Sequence, residues 1–141
     1  MTEPHLSRIL AAVDGSAPSE KALRLAGRIA RALGAELMLL HVGPLREHPI
    51  LLADEEIAAA DGEGRAMLAK GVTIAAELGV EARTEIVQGR PAEQILRYAR
   101  RYRPAVIVMG TRGLTGPKRL LLGSVSREVS EGAECSVLLA R

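Results

Sequence analysis

The sequence contains no phenylalanine and no tryptophan, and Tyr98 and Tyr102 are its only aromatic residues. Its 141 residues are enough for one domain, and 48% of them are apolar, so a hydrophobic core is still expected. That core must be built from leucine, isoleucine, valine, alanine and methionine. This composition favours a parallel sheet covered by alanine-rich helices.

Cysteine is equally scarce. Cys135 is the only one, which excludes an internal disulfide and is typical of a reducing compartment. Because Cys135 lies in an apolar run, we interpret it as a small core residue and not as a nucleophile. Residues Met1–Ser7 are mostly polar and no long apolar stretch follows them. We therefore predict no signal peptide, no membrane span and a cytoplasmic protein.

The chain has little excess charge of either sign. Its net charge of +2 is too small to indicate a nucleic-acid partner. Four arginines do cluster at the end of one predicted helix, but basic residues are favoured at helix C-termini by the helix dipole. We interpret this cluster as a solvated face and predict neither a nucleic-acid nor a membrane partner. It comprises Arg97, Arg100, Arg101 and Arg103.

Strand and helix patterns alternate along the whole chain, which predicts a single α/β domain over residues 1–141 with a mainly parallel sheet. The alternation of polar and apolar residues over 81–87 is typical of an edge strand. The predicted elements are a strand over Arg8–Val13, a helix from near Ser16 to Leu33, a strand over Leu37–Val42, a helix over about Asp54–Leu78, a strand over Glu81–Val87, a helix from Pro91 that ends at Pro104, a strand over Ala105–Met109, a short helix from near Ser124 and a strand over Ser136–Ala140.

A glycine-containing stretch follows the fourth predicted strand and runs from Gly110 to Ser126. Glycine lets a backbone approach a phosphate closely, and N–H groups at the start of the next helix attract an anion. Ser124 and Ser126 would add hydroxyl donors, and Arg112 a cation. A simple turn is the alternative, but glycines at 110 and 113 with Gly123-Ser124 after nine further residues favour a phosphate site.

Other phosphate motifs are absent. The sequence has no Gly-x-x-x-x-Gly-Lys-Ser/Thr loop, and the turn after the first strand is Asp14-Gly15-Ser16, which is not a dinucleotide fingerprint. A phospho-receiver domain would need an aspartate where Ile86-Val87-Gln88 stands. His5, His41 and His48 lack metal-ligand spacing, so we predict no protein-built metal site and interpret His41 as a packed residue.

Together these segments resemble the universal stress protein family, in its ATP-binding branch. The resemblance covers nearly the whole chain and is carried by Ile9-Leu10, Val13-Asp14-Gly15-Ser16, Leu40-His41-Val42, Gly89-Arg90-Pro91 before Ile95, Val108-Met109-Gly110-Thr111-Arg112-Gly113 and Leu122-Gly123-Ser124-Val125.

The resemblance implies an open five-stranded parallel sheet of order 3-2-1-4-5 with helices on both faces, a Rossmann-like fold of the adenine nucleotide alpha hydrolase type. It implies ATP as the ligand, Mg²⁺ accompanying the nucleotide, and a homodimer through strand five. Adenosine would lie across strands one, two and four, with the backbone of Val42 bonded to the adenine edge. The implied binding residues are Ala12, Val13, Asp14, Val42, Met109, Gly110, Thr111, Arg112, Gly113, Leu114, Thr115, Gly116, Gly123, Ser124, Val125 and Ser126.

The residues favour holding ATP over hydrolysing it. The glycine-containing stretch offers Arg112, Lys118 and Arg119 as cations but no side chain that could orient an attacking water. Asp14 is the sole nearby carboxylate, and the resemblance suits it to the ribose or to a water on a divalent ion. A structural role as a surface cap is the alternative for this residue. We therefore predict no catalytic residue and favour a nucleotide-dependent regulator or sensor. A slow ATPase or phosphoryl-transfer enzyme, and an interaction module that binds AMP or cyclic AMP, remain the alternatives.

Overall fold

The computed structural model describes residues 8–44, 54–111 and 122–141. None of the helices within those ranges is long and apolar enough to cross a membrane. The elements are β1 (Arg8–Ala12), α1 (Ala17–Leu33), β2 (Glu36–Gly43), α2 (Asp54–Glu77), β3 (Ala82–Gln88), α3 (Pro91–Tyr102), β4 (Val106–Gly110), α4 (Ser124–Gly132) and β5 (Ser136–Ala140).

All described strand pairs are parallel, and the strand order is β3-β2-β1-β4-β5. This confirms the predicted fold and strand order. In the register, Ala12 pairs with Leu40, and Gly110 pairs with Ala140. The carboxyl ends of the strands therefore meet along one side of the sheet, where α/β proteins bind their ligands.

Helix α1 has clear start and stop signals. The Ser16 hydroxyl oxygen accepts a hydrogen bond from the Ser19 N–H at 3.2 Å, and Pro18 lies in the first turn. Gly34 ends the helix in the left-handed region, with φ of 64°, and its N–H points to the carbonyls of Ala30 and Arg31. These signals are local, which is why the sequence predicts both ends of the helix.

The sheet separates two hydrophobic cores. The α1/α2 core contains one set of strand residues, including Ile9 and Leu39, packed against Leu23, Leu68 and Ile74. The α3/α4 core contains the alternate strand residues packed against α3 and α4; its buried members are Leu10, Met38, Leu40, Ala92, Ile95, Ile107, Met109 and Val129. Each strand has apolar residues on both faces because each face is covered by helices.

The two sheet edges differ in polarity. In β3 the side chains of Arg83, Thr84 and Glu85 are exposed, as the predicted edge strand requires. In β5 Leu138 remains 37% exposed. Cys135, immediately before β5, is half-buried against the α3/α4 core, and burial raises the pKa of its thiol.

Candidate functional site

A cavity of about 340 Å³ lies at the carboxyl ends of β1, β2 and β4, on the side of α3 and α4. Its position is the one at which α/β sheets generally bind ligands. Its volume lies in the range of small-molecule sites. The lining residues are Ala12, Val13, Asp14, Ser19, Leu40, Val42, Pro91, Ile95, Met109, Gly110, Gly123, Ser124, Val125 and Ser126.

One part of the cavity is apolar. Leu40, Ile95 and Met109 are buried members of the α3/α4 core whose surfaces reach the cavity, and half-buried Val42 and Val125 complete the apolar wall. An apolar wall of this kind can remove the faces of a planar ring from water. This part of the site is an extension of the core, which fixes the side chains that form it.

The turn after β1 fixes the orientation of Asp14. Its Oδ1 accepts a hydrogen bond from the Ser16 N–H at 2.8 Å. The Asp14 N–H donates to the Ser19 hydroxyl oxygen at 3.0 Å, and that hydroxyl donates to the Ala12 carbonyl at 3.3 Å. Asp14 therefore caps its own turn and also lines the cavity, so a capping role and a ligand-facing role are compatible in this residue.

His41 supports the same turn from outside the cavity. Its Nδ1 lies 2.7 Å from the Val13 carbonyl oxygen, which makes Nδ1 the protonated ring nitrogen. The imidazole packs against α2 at Gly64, where a Cβ would lie only 2.7 Å from the His41 Cδ2. The interpretation of His41 as a packed residue is confirmed, and its hydrogen bond holds Val13 in place.

Backbone and hydroxyl hydrogen bonds join the end of β4 to the start of α4. The Thr111 carbonyl accepts from the Gly123 N–H at 2.6 Å and from the Ser126 hydroxyl at 2.8 Å. The Thr111 N–H donates to the Ala140 carbonyl of β5 at 3.0 Å. Thr111 is buried and is absent from the cavity lining. It connects α4 to the sheet.

The first turn of α4 faces the cavity, and the residue at its N-cap position has no side chain that could cap the helix. That residue is Gly123, in extended backbone with φ of −73° and ψ of 168°. The N–H groups of the first turn have no carbonyl partner within a helix, and the helix dipole makes this end positive. Because Ser124 and Val125 line the cavity, this end suits an anionic group of a ligand.

The hydroxyl of Ser126 does not have the predicted orientation. The sequence suggests a donor toward phosphate, but its single proton points to two protein carbonyls, at 2.8 Å on Thr111 and 3.0 Å on Gly123. Ser126 is 2% exposed. The hydroxyl is engaged because the fold brings the Thr111 carbonyl against the first turn of α4, a contact that sequence spacing does not reveal.

Packing within the protein gives position 110 a second reason to be glycine, beside the predicted close approach of a phosphate. A Cβ on Gly110 would lie 2.7 Å from Pro18 Cβ and 2.8 Å from Pro18 C. Its φ lies outside the left-handed region. The absent side chain therefore lets the amino end of α1 pack against the end of β4, whatever the ligand requires.

The structure brings ten of the sixteen predicted binding residues into the cavity lining. Thr111 lies behind that lining, and Arg112, Gly113, Leu114, Thr115 and Gly116 lie outside the described residues. Sequence reasoning missed Ser19, Leu40, Pro91 and Ile95 as lining residues. Leu40, Pro91 and Ile95 belong to segments that carried the resemblance, and that signal could have identified them.

Comparison with known proteins supports a family assignment. Residues 5–141 match the model of the universal stress protein family. Universal stress protein YxiE from Bacillus subtilis is 38% identical, over 96% of this chain and 99% of that protein.

Solved structures agree. Universal stress protein UspA from Lactobacillus plantarum superposes with a TM-score of 0.87 at 26% identity, covering 99% of this chain and 100% of that one. A universal stress protein in complex with cAMP superposes with a TM-score of 0.77 at 26% identity, covering 96% of this chain and 97% of that one. The universal stress protein from Archaeoglobus fulgidus in complex with dAMP superposes with a TM-score of 0.74 at 26% identity, covering 96% of this chain and 98% of that one. With its sheet order and its cavity at the strand ends, this chain belongs to the universal stress protein family.

Proposed function

We propose that this chain binds ATP, with Mg²⁺ accompanying the nucleotide, and acts as a nucleotide-dependent regulator or sensor in the stress response. The observation that carries the proposal is that one cavity combines an apolar wall with a helix amino end. Its apolar wall continues to the amino end of α4, where Gly123 is the N-cap residue. An adenine nucleotide has the matching composition, a planar ring at one end and phosphate at the other.

The apolar wall supports adenine recognition. Leu40, Ile95 and Met109 offer surface for the ring faces, and the Val42 backbone would supply the hydrogen bonds to the ring edge. Asp14 has one carboxylate oxygen engaged by the Ser16 N–H, and its Oδ2 has no partner among residues 8–44, 54–111 and 122–141. That oxygen suits a ribose hydroxyl, a donor that a carboxylate accepts well.

The amino end of α4 supports phosphate recognition. The N–H groups of Ser124 and Val125 are free of intrahelical partners by helix geometry, and the helix dipole adds attraction for an anion. Gly123 itself has no side chain that could block the approach to these groups. The Ser124 hydroxyl, on a residue that lines the cavity, would be a further donor.

The residues fit Mg²⁺ as a companion of the nucleotide and not as a resident metal ion. No cluster of three or more metal-ligating side chains occurs among the described residues. Within the part of the chain that the structure describes, Asp14 is the one carboxylate in the cavity lining. Phosphate oxygens and water would therefore supply most of the ligands of Mg²⁺.

The lining favours binding over phosphoryl transfer. Transfer to water needs a group that orients the water near the γ-phosphate. Within the described residues the lining contains no glutamate, glutamine or histidine, and Asp14 belongs to the turn after β1. We therefore propose that nucleotide binding itself carries the function and that ATP turnover is slow.

A second candidate is an interaction module that binds AMP or cyclic AMP. It is favoured by one observation: two solved relatives, each 26% identical to this chain, are complexes with cAMP and with dAMP. Both ligands carry a single phosphate, which the amino end of α4 could bind without a longer polyphosphate site.

Calorimetry with ATP, ADP, AMP, cAMP and adenosine separates these candidates. Tightest binding of ATP in the presence of Mg²⁺ would support the first proposal, and equal or tighter binding of AMP or cAMP would support the second. Failure to bind any of the five would overturn both. Timed analysis of ATP incubated with the protein tests the regulator, since multiple turnovers per minute would contradict it. Mass spectrometry of nucleotide released from denatured protein would identify the resident ligand.

We further propose that a second copy of the chain covers β5, forming a two-fold dimer. β5 is a sheet edge, and Leu138 is 37% exposed on it. An apolar edge of this kind promotes association unless it is covered. L138K should reduce the mass measured by light scattering to that of a monomer. L33K, at a leucine that is 47% exposed at the end of α1, is the control; an unchanged mass for L138K would refute the interface.

A further inference from the structure

Ser126 lies at the phosphate end of the proposed nucleotide site but its hydroxyl faces the protein. We propose that Ser126 is a positioning residue for phosphate recognition, whose hydroxyl fixes the amino end of α4 against the end of β4. The inference rests on the proposed nucleotide binding and assigns a specific task to one buried group in it.

The hydrogen bonds of Ser126 define that task. Its Oγ lies 2.8 Å from the Thr111 carbonyl oxygen and 3.0 Å from the Gly123 carbonyl oxygen, on a residue that is 2% exposed. A hydroxyl has one proton, and both neighbours are acceptors, so the proton is used within the protein. Ser126 therefore influences a ligand through the position of α4 and not by donating to it.

Thr111 provides a fixed point for this contact. Its N–H donates to the Ala140 carbonyl at 3.0 Å, which attaches it to β5 at the end of the sheet. The Ser126 hydroxyl and the Gly123 N–H, at 2.6 Å, both bind the Thr111 carbonyl. Together these bonds tie the amino end of a nine-residue helix to the sheet.

The rest of α4 is held by different contacts. Val129, one turn further along, is fully buried in the α3/α4 core, so the body of the helix is held by packing. The N-cap residue at the amino end, Gly123, has no side chain that could cap it. Loss of the Ser126 hydroxyl should therefore loosen the first turn, where phosphate would bind, while the apolar wall formed by Leu40 and Ile95 stays in place.

The experiment compares ATP with adenosine by calorimetry in the full chain, since adenosine carries no phosphate. S126A should bind ATP about fivefold more weakly, the factor expected for one hydrogen bond, with adenosine affinity changed less than twofold. S126T, which restores the hydroxyl, should recover ATP affinity. S130A is the matched control: the Ser130 hydroxyl donates to the Ser126 carbonyl at 2.7 Å, yet Ser130 is exposed and does not line the cavity.

The outcomes are separable. Unchanged ATP affinity in S126A, or equal losses for ATP and adenosine, would overturn the positioning role while leaving nucleotide binding intact. No binding of ATP or adenosine by the wild-type protein would overturn the proposed function and this inference with it. S126C retains the side-chain volume with a weaker donor, and its ATP affinity should lie between those of S126A and wild type. If S126A does not fold, wild-type ATP affinity in S126C would overturn the role.

Discussion

The variant G110A adds one methyl group at the place where β4 meets the amino end of α1. That methyl would lie 2.7 Å from Pro18 Cβ, 2.8 Å from Pro18 C and 3.1 Å from Pro18 O. Two of the three contacts are with backbone atoms, which no side-chain rotation can relieve. The strand end and the helix must separate, and overpacking of this kind costs about 1–3 kcal/mol of the free energy of unfolding. At roughly 3–4 °C per kcal/mol for a chain of this size, Tm should fall by about 3–12 °C.

Thermal unfolding followed by circular dichroism measures this effect. G62A is the control, because nothing lies within 4 Å of a Cβ at Gly62 and alanine replaces glycine inside α2. It should stabilise the protein by about 0.5–1 kcal/mol. A G110A variant that keeps the wild-type Tm but loses nucleotide affinity would refute the steric explanation and show that Gly110 is needed for close approach of the ligand.

Three further predictions concern single side chains. G123V should keep the fold, because φ of −73° and ψ of 168° suit a β-branched residue, and calorimetry should show weaker ATP binding; unchanged affinity would exclude phosphate from this end of the cavity. Burial raises the pKa of Tyr98 from 10.0 to about 12, and the nearby negative charge of Glu85 is the second cause. Because this pKa is higher in the folded state, the contribution of the neutral phenol to stability is complete below pH 10 and is lost as the pH rises through 12. Tyrosinate absorbance should show the late titration, E85Q should lower the pKa only in part, and an ordinary pKa in the wild type would refute the burial. Because burial raises the pKa of the Cys135 thiol, an aromatic disulfide reagent should modify it more slowly in the folded chain than in urea, and equal rates would contradict the packing.

The elements and their order were predictable because their signals are local or periodic. The Ser16 cap and Gly34 mark the ends of α1, and alternation identifies β3 as an edge. The strand order followed from the family resemblance. Predicted strand limits differ from the structure by about one residue; β1 ends at Ala12, although the Val13 N–H still donates to the Leu40 carbonyl at 2.8 Å.

The candidate site was less predictable where a residue's role depends on distant neighbours. The hydroxyl of Ser126 looks the same in the sequence whether it faces a ligand or the Thr111 carbonyl. Gly110 is a glycine in both explanations, and only the position of Pro18 distinguishes them. From their apolar pattern, Leu40 and Ile95 are indistinguishable from ordinary core residues, because such a pattern does not show which core side chains also reach a cavity.

The separation of the two cores by the sheet has a consequence for how such proteins can diverge. Of the described apolar side chains that line the cavity and belong to either core, Val13 alone belongs to the α1/α2 core. Substitutions on that face, at Leu23 or Ile74, would change the melting temperature while leaving the opposite wall unaltered. A lineage could thus adapt to a hotter or colder habitat by mutation on one face and alter its ligand preference by mutation on the other.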